Sequence, residues 1–221
     1  MQISNFIFLI LFTCSVLFFV KNLGRIIQNI KLGRDVNRSD RPLDRWKNMF
    51  RVALGQSKMV RRPIAGVLHI FIYLGFVIIN IEMIEIVIDG ITGSHRFLSS
   101  VFPLIFYNFL IASFEVLALL VLVACFIFLI RRNVIKIKRF WSKEMTSWPR
   151  TDANLILIFE ILLMFAFLFM NAADMLVMMN DNGEYVGSFP ISQFLVPFIS
   201  SFSIEQLIFI ERFCWWFHII G

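Results

Sequence analysis

Charge is what this sequence has least of. Asp, Glu, Lys and Arg make up 16% of its 221 residues, against about 25% in an ordinary soluble domain. A chain so short of charge cannot coat a core with polar groups, and its 59% of hydrophobic residues, with a mean hydropathy of +0.80, must find lipid. Cysteine is scarce as well. Cys14, Cys125 and Cys214 lie far apart, each in or beside an apolar run. They form no Cys-x-x-Cys pair and no ferredoxin-type run, which excludes a zinc or iron–sulfur site of recognisable spacing and leaves them as small buried apolar residues. The ten glycines are scattered, so there is no phosphate-cradling loop and no dinucleotide fingerprint, and no hydrolytic triad is present either. The N-terminus lacks the basic n-region and small-residue cleavage site of a signal peptide, so its apolar run is expected to be a retained helix. No repeat or low-complexity linker divides the chain, and one membrane domain is expected over residues 1–221.

Long hydrophobic runs are what the chain does have. Crossing the hydrocarbon core takes about 20 apolar residues, and four runs suffice: about Ile3–Val20, Ile64–Ile88, Phe102–Ile130 and Ala153–Met175. The expected fold class is therefore all-α, a polytopic transmembrane helical bundle of four complete helices plus a truncated fifth. The 27 phenylalanines suit packing against acyl chains and flat cofactors alike. Pro63 fits the first turn of the second span, where its missing N–H costs nothing. Thr151 or Asp152 is placed to cap the fourth span, after a break at Pro149. The fifth run begins near Ile204 or Phe213 and reaches Gly221. If Trp215 and Trp216 mark the interface, the residues left cover roughly 8 Å of a ~30 Å core, leaving open carbonyls in hydrocarbon. The alternatives are a re-entrant or interfacial C-terminus, or a span from Ile204 that buries Glu205, Glu211 and Arg212. The expense of buried charge favours a truncated chain.

The basic residues fix an expected orientation. Twelve Lys/Arg fall between Lys21 and Arg62 and seven between Arg131 and Arg150, leaving only Arg96 and Arg212 for the opposite loops. By the positive-inside rule both basic loops are cytoplasmic. The N-terminus and the loops near His95 and Asp181 are then outside. The net charge of +6 thus reports topology and not nucleic-acid binding. The first basic loop interleaves Trp46, Met49, Phe50, Val52 and Leu54 with its charges. That pattern suits either an amphipathic helix on the inner leaflet or an ordinary basic loop.

Three histidines and four acids carry the potential chemistry. Gly66, His69, Tyr73, Phe76 and Asn80 are spaced 3, 4, 3 and 4 residues apart and form one seam on the second span. A glycine one turn before a histidine leaves room for a flat macrocycle, and imidazole on a membrane helix is a common axial ligand of b-type haem; the alternative is a hydrogen bond to a neighbouring helix. His218, in Trp215-Trp216-Phe217-His218, is either an interfacial histidine among aromatics or a second haem ligand. It reaches the depth of His69 only if its span begins near Ile204. His95, in Gly93-Ser94-His95-Arg96, reads as a solvated loop residue and is a ligand only if that loop folds back on the membrane. Glu115 and Glu160 lie well inside spans three and four, where a carboxylate either relays protons and meets quinone headgroups or stays protonated and bonds a neighbouring helix. Glu82 and Glu85 read as wet residues at the outer end of span two, and Asn171 and Asp174 as the outer close of span four.

The stretch Gln56-Ser57-Lys58-Met59-Val60-Arg61-Arg62-Pro63-Ile64-Ala65-Gly66-Val67-Leu68-His69-Ile70-Phe71-Ile72-Tyr73-Leu74-Gly75-Phe76 resembles the entry to the second helix of a bacterial group, the membrane-bound iron–sulfur oxidoreductases related to heterodisulfide reductase. The N-terminal half of these proteins is similar to the gamma subunit of respiratory nitrate reductase, a five-helix cytochrome b. Ser142-Lys143-Glu144-Met145-Thr146-Ser147-Trp148-Pro149-Arg150-Thr151-Asp152 and the ending Trp215-Trp216-Phe217-His218 resemble the same group. The resemblance implies haem ligation by His69 and His218, and a fifth helix that continues to a cytoplasmic domain with 4Fe–4S clusters, neither continuation being within this chain. The chain has no second histidine one to three turns after His69, where the two-haem members carry one. The expected protein is the electron-transfer part of an oxidoreductase, carrying haem b between the quinone pool and a cytoplasmic iron–sulfur domain or subunit. In that reading Gly66 makes room for the haem, Tyr73 packs beside it, Arg61 and Arg62 pair with its propionates, and Glu160 and Glu115 are candidates for quinone or proton contact. The rivals are a haem-free anchor for a soluble redox partner and a small transporter or channel subunit using Glu115 and Glu160.

Overall fold

The computed structural model describes residues 3–34, 36–37, 39–59, 62–142, 146–182 and 185–220. Among these the chain is all-helical, with no strand. Four helices are long and apolar enough to cross a membrane: α1 (Ile3–Lys31), α3 (Pro63–Thr92), α5 (Leu104–Asn133) and α6 (Ser147–Asn182). Shorter helices complete the set: α2 (Pro42–Met49), α4 (Phe97–Val101), α7 (Val196–Ile199) and α8 (Ile204–Ile220). Every expected span is present, and each continues past the C-terminal limit of its apolar run. Once started, a helix adds one hydrogen bond per residue and stops only where the chain breaks it.

The helices divide into two compact units. In the first, residues 1–66 and 86–97, only Asn5 and Phe8 of α1 are buried. Asn5 donates through Nδ2 to the Gly90 carbonyl at 3.0 Å. The Phe8 ring lies against Gly90 so closely that a Cβ there would sit 2.7 Å from it. The rest of α1 presents Phe, Ile, Leu and Val outward, which suits a helix whose solvent is lipid. Gly93 ends α3 in the left-handed conformation (φ 77°), its N–H donating to the Asp89 carbonyl at 2.8 Å. The Asp89 carboxylate then accepts from Ser94 Oγ and from the N–H groups of Arg96 and Phe97, which starts α4. The first basic loop contains a helix: Pro42 opens α2, a π-helical turn follows over Phe50–Leu54, and the rings of Trp46 and Phe50 lie 6.0 Å apart on its exposed surface. Of the two readings of this loop, the helix is the one formed.

The second unit comprises residues 67–85 and 98–221. Its central element is α5, with Tyr107, Ile111, Phe114, Glu115, Ala118 and Cys125 all but sealed from the surface. Gly75 of α3 lets that helix approach α5, since a Cβ there would meet Val121 Cγ2 at 2.5 Å. The most extensive packing is of α8 on α6, followed by α5 on α6. Ala172 and Ala173 offer a smooth surface at the end of α6, where Ile199 and Leu207 close over them.

Three expectations about helix ends are corrected. The fourth span begins at Ser147, so Pro149 lies within its first turn and does not break it, because its missing N–H would lack a helical partner there anyway. Thr151 accordingly donates from Oγ1 to the Ser147 carbonyl and does not cap the helix. The span continues to Asn182, which makes Asn171 and Asp174 buried interior residues at 0% and 4% exposure. The fifth helix takes the earlier of its two possible starts, Ile204. Ser203 Oγ accepts from the Gln206 N–H at 3.4 Å while Gln206 Oε1 accepts from the Ser203 N–H at 2.9 Å, a reciprocal capping box. The charge that this start brings in is partly answered by an ion pair between Arg212 Nε and Glu211 Oε2 at 3.1 Å. Of the cysteines, Cys125 and Cys214 are buried as expected, whereas Cys14 is exposed on α1.

Candidate functional site

His218 sits two turns beyond Glu211 on α8, facing α6. Its ring meets Phe167 edge-on at 6.4 Å, and its neighbour Phe217 stacks on Phe159 at 5.7 Å. Nδ1 lies 2.8 Å from the Cys214 carbonyl. A carbonyl only accepts, so Nδ1 carries the proton and the lone pair is left on Nε2. That Nε2 is buried and has no hydrogen-bond partner of normal geometry among the described residues, while the Leu163 carbonyl of α6 is close enough to interact with the ring. Buried imidazole nitrogens are ordinarily satisfied, and a tautomer fixed by a main-chain carbonyl is the usual second-sphere arrangement of a ligating histidine. An imidazole held in this tautomer could serve as a ligand to a haem iron.

His69 is in a different setting. It lies on the exposed side of α3 with Asn80 and Phe76, the last 70% exposed, while Leu68, Gly75, Glu82 and Glu85 occupy the buried side. Its ring packs on Phe128 of α5 with centroids 4.9 Å apart and makes no hydrogen bond among the described residues. Asn80 turns its Nδ2 back to the Phe76 carbonyl. No ring contact or hydrogen bond joins the two imidazoles, so the fold brings each against its own phenylalanine and not against the other. Gly66 is buried one turn before His69, its N–H donating to the Arg62 carbonyl at 2.7 Å, and Tyr73 is half-buried one turn after it. Arg62 is exposed at the start of α3, and Arg61 lies outside the described residues. His95 is exposed in the loop beyond the other end of α3 from His69, as a loop residue was expected to be.

The acids separate sharply. Glu115, 0% exposed, accepts from Asn171 Nδ2 at 3.2 Å and from the N–H groups of Ile191 and Ser192 at 2.8 and 3.1 Å. It ties α5 to α6 and to the segment before α7. Glu85, expected to be wet, is 3% exposed and accepts from the Leu98 N–H at 2.9 Å and the Tyr107 hydroxyl at 3.4 Å, and Glu82 is likewise buried. The polar ends of the turns around them are desolvated by α4 and α5, and a carboxylate supplies the acceptor. Glu160, by contrast, is half-buried on α6, in the neighbourhood of Cys125 of α5, with no hydrogen bond or ion pair to any described residue. Sequence reasoning singled out Glu115 but not its partners in the segment around Ile191; the one signal available was Asn171, an amide deep in an apolar run. Among the described residues no group of three or more His, Cys, Asp or Glu converges as a metal site.

Comparison with known proteins adds one likeness. Over 191 residues, 83% of this chain, the sequence is 25% identical to a protein of Syntrophomonas wolfei subsp. wolfei (strain DSM 2245B / Goettingen) named EtfAB:quinone oxidoreductase. The aligned stretch is 25% of that protein, so the chain spans about a quarter of the length of the curated relative it matches. No protein-family model matches the chain. No solved structure matches it.

Proposed function

We propose that this chain is a membrane electron-transfer module that carries b-type haem and passes electrons between the quinone pool and an iron–sulfur partner on the side of its basic loops. The observation that carries the reading is His218, whose Nδ1 is committed to the Cys214 carbonyl and whose Nε2 is buried without a hydrogen bond of normal geometry to any described residue. His69 is the second candidate ligand. It lies six residues into α3 from Pro63, about 9 Å of helical rise, while His218 lies fourteen residues into α8 from Ile204. The latter is about 21 Å of rise, which in a core of ~30 Å leaves about 9 Å to the opposite face. With Pro63 and Ile204 taken at opposite faces of the core, the two imidazoles would stand at matching depth near the basic face. Haem supplies one-electron redox chemistry when bound. The chain supplies the imidazoles, the phenylalanines that exclude water around them, and at Arg62 a cation for propionates; Arg61 has the same proposed role. Glu160, the intramembrane acid without a partner among described residues, is the candidate for holding a quinone headgroup or its proton. The likeness to a protein named as a quinone oxidoreductase supports this assignment, as does the resemblance to the nitrate reductase gamma-like cytochromes. The N-terminus would be periplasmic and the membrane the bacterial inner membrane.

The test is a reduced-minus-oxidised visible spectrum of the purified chain with His218→Ala and His69→Ala beside it. A b-type spectrum lost on His218→Ala, and lost or converted to high spin on His69→Ala, is expected. Haem retained unchanged in both variants would remove these residues as ligands. A haem-free protein, both alone and as part of a longer polypeptide, would leave the membrane anchor as the account of the chain.

A further inference from the structure

At the basic end of α5 and α6, three cations gather around two aromatic rings. Arg132 has its guanidinium carbon 4.8 Å from the Phe140 ring centroid, and Arg150 has its own 4.7 Å from that of Trp141. Lys136 Nζ lies 5.3 Å from the same indole. The frame that holds them is built: Trp141 Nε1 donates to the Arg132 carbonyl at 3.2 Å, and Arg132 Nε donates to Asn154 Oδ1 at 2.9 Å. Asn154 Nδ2 in turn donates to Asn133 Oδ1 at 2.9 Å. Between the two arginines opens a recess of ≈ 210 Å³, lined also by Asn133, Thr151 and the two rings. Among the described residues no carboxylate pairs with Arg132, Lys136 or Arg150. Like charges brought together without a counter-charge repel, and arginine forks present the geometry that phosphate oxygens accept.

We propose that this recess binds the phosphate of an anionic phospholipid from the leaflet on the basic side. Phosphate is the shared chemistry, and three observations point to a lipid as its source. The recess stands at adjoining ends of α5 and α6, two helices long and apolar enough to cross a membrane, where lipid headgroups would lie. Trp141 and the nearby Trp148, 47% and 68% exposed, are the aromatics of an interfacial belt. Immediately toward the membrane, Ile130 of α5 and Leu155 of α6 are exposed apolar residues along which acyl chains can lie. The site is separate from the haem reading and does not depend on it.

The experiment places the full chain in nanodiscs of equal phosphatidylglycerol and phosphatidylcholine, then releases it into detergent for native mass spectrometry. One retained phosphatidylglycerol, preferred by about tenfold over phosphatidylcholine, is expected for the native protein, with parity in Arg132→Gln/Arg150→Gln. Arg150→Gln alone guards against misfolding, because that guanidinium's recorded hydrogen bond is a single long one, 3.4 Å to the Thr146 carbonyl. It should lose most of the preference while keeping the native thermal midpoint. Equal retention of both lipids by the native protein, or an undiminished preference in both variants, overturns the proposal. Displacement of the lipid by millimolar inorganic phosphate also overturns it, since the site would then serve a soluble anion.

Discussion

Glu115 and Glu160 are both intramembrane carboxylates, yet their surroundings ask different things of them. Glu115 answers two main-chain N–H groups and the Asn171 amide in a place sealed from the surface. Removing it strands the two main-chain donors, at about 1–3 kcal/mol for each. Glu115→Ala is therefore expected to lower the thermal midpoint of the detergent-solubilised protein well beyond the effect of Glu160→Ala, whose side chain holds nothing in place. Equal midpoints would mean that the segment around Ile191 is secured by other contacts. Both acids were visible in the sequence, because a carboxylate in an apolar run stands out. Their difference was not, because the partners of Glu115 come from a segment that folds back from 76 residues further on and carries no periodicity of its own. Glu85 was misread for a related reason: it sits near the end of an apolar run, and only the return of the chain through Leu98 and Tyr107 takes it out of water.

At the scale of elements, hydropathy located every long helix but not the ends of those helices. The transfer of apolar side chains to lipid is summed over a whole span, whereas an end is decided by one or two hydrogen bonds. The start of α8 shows this. Its hydropathy is diluted by Glu205, Glu211 and Arg212, which argued for a later start, yet Ser203 and Gln206 satisfy each other's N–H groups and begin the helix at Ile204. The Ser-x-x-Gln pattern stands in the sequence, but the expectation for this run rested on its charges and on Trp215 and Trp216. Ser203→Ala is expected to cost about 1 kcal/mol of local stability, seen as faster amide exchange at Gln206 and Leu207 with little change deeper in the helix. Unchanged exchange there would deny the cap its role and reopen the later start. That start matters beyond the helix itself, since it is what places His218 fourteen residues into the span.

At the scale of the whole molecule, one assumption underlies the functional reading: the face carrying the two basic loops is the cytoplasmic one. Twelve and seven Lys/Arg in those loops against two elsewhere is a strong bias, and translocation of short loops so rich in Lys and Arg is disfavoured. In a variant freed of Cys14, Cys125 and Cys214, single cysteines at Ser39, in the first basic loop, and at Ser201, ahead of α8, report the two faces. Both positions are exposed. A membrane-impermeant maleimide applied to intact bacterial cells, their outer membrane opened, should label Ser201→Cys at once and Ser39→Cys only after the inner membrane is breached. The reverse pattern would turn the molecule over. His69 and His218 would then lie near the periplasmic side, where a cytoplasmic iron–sulfur partner could not draw electrons from a haem held between them, and the electron-transfer proposal would need a different partner even if the haem spectrum were found. Spectrum and topology are thus independent requirements, one testing whether these histidines hold a redox group and the other whether that group faces the side on which the partner must dock.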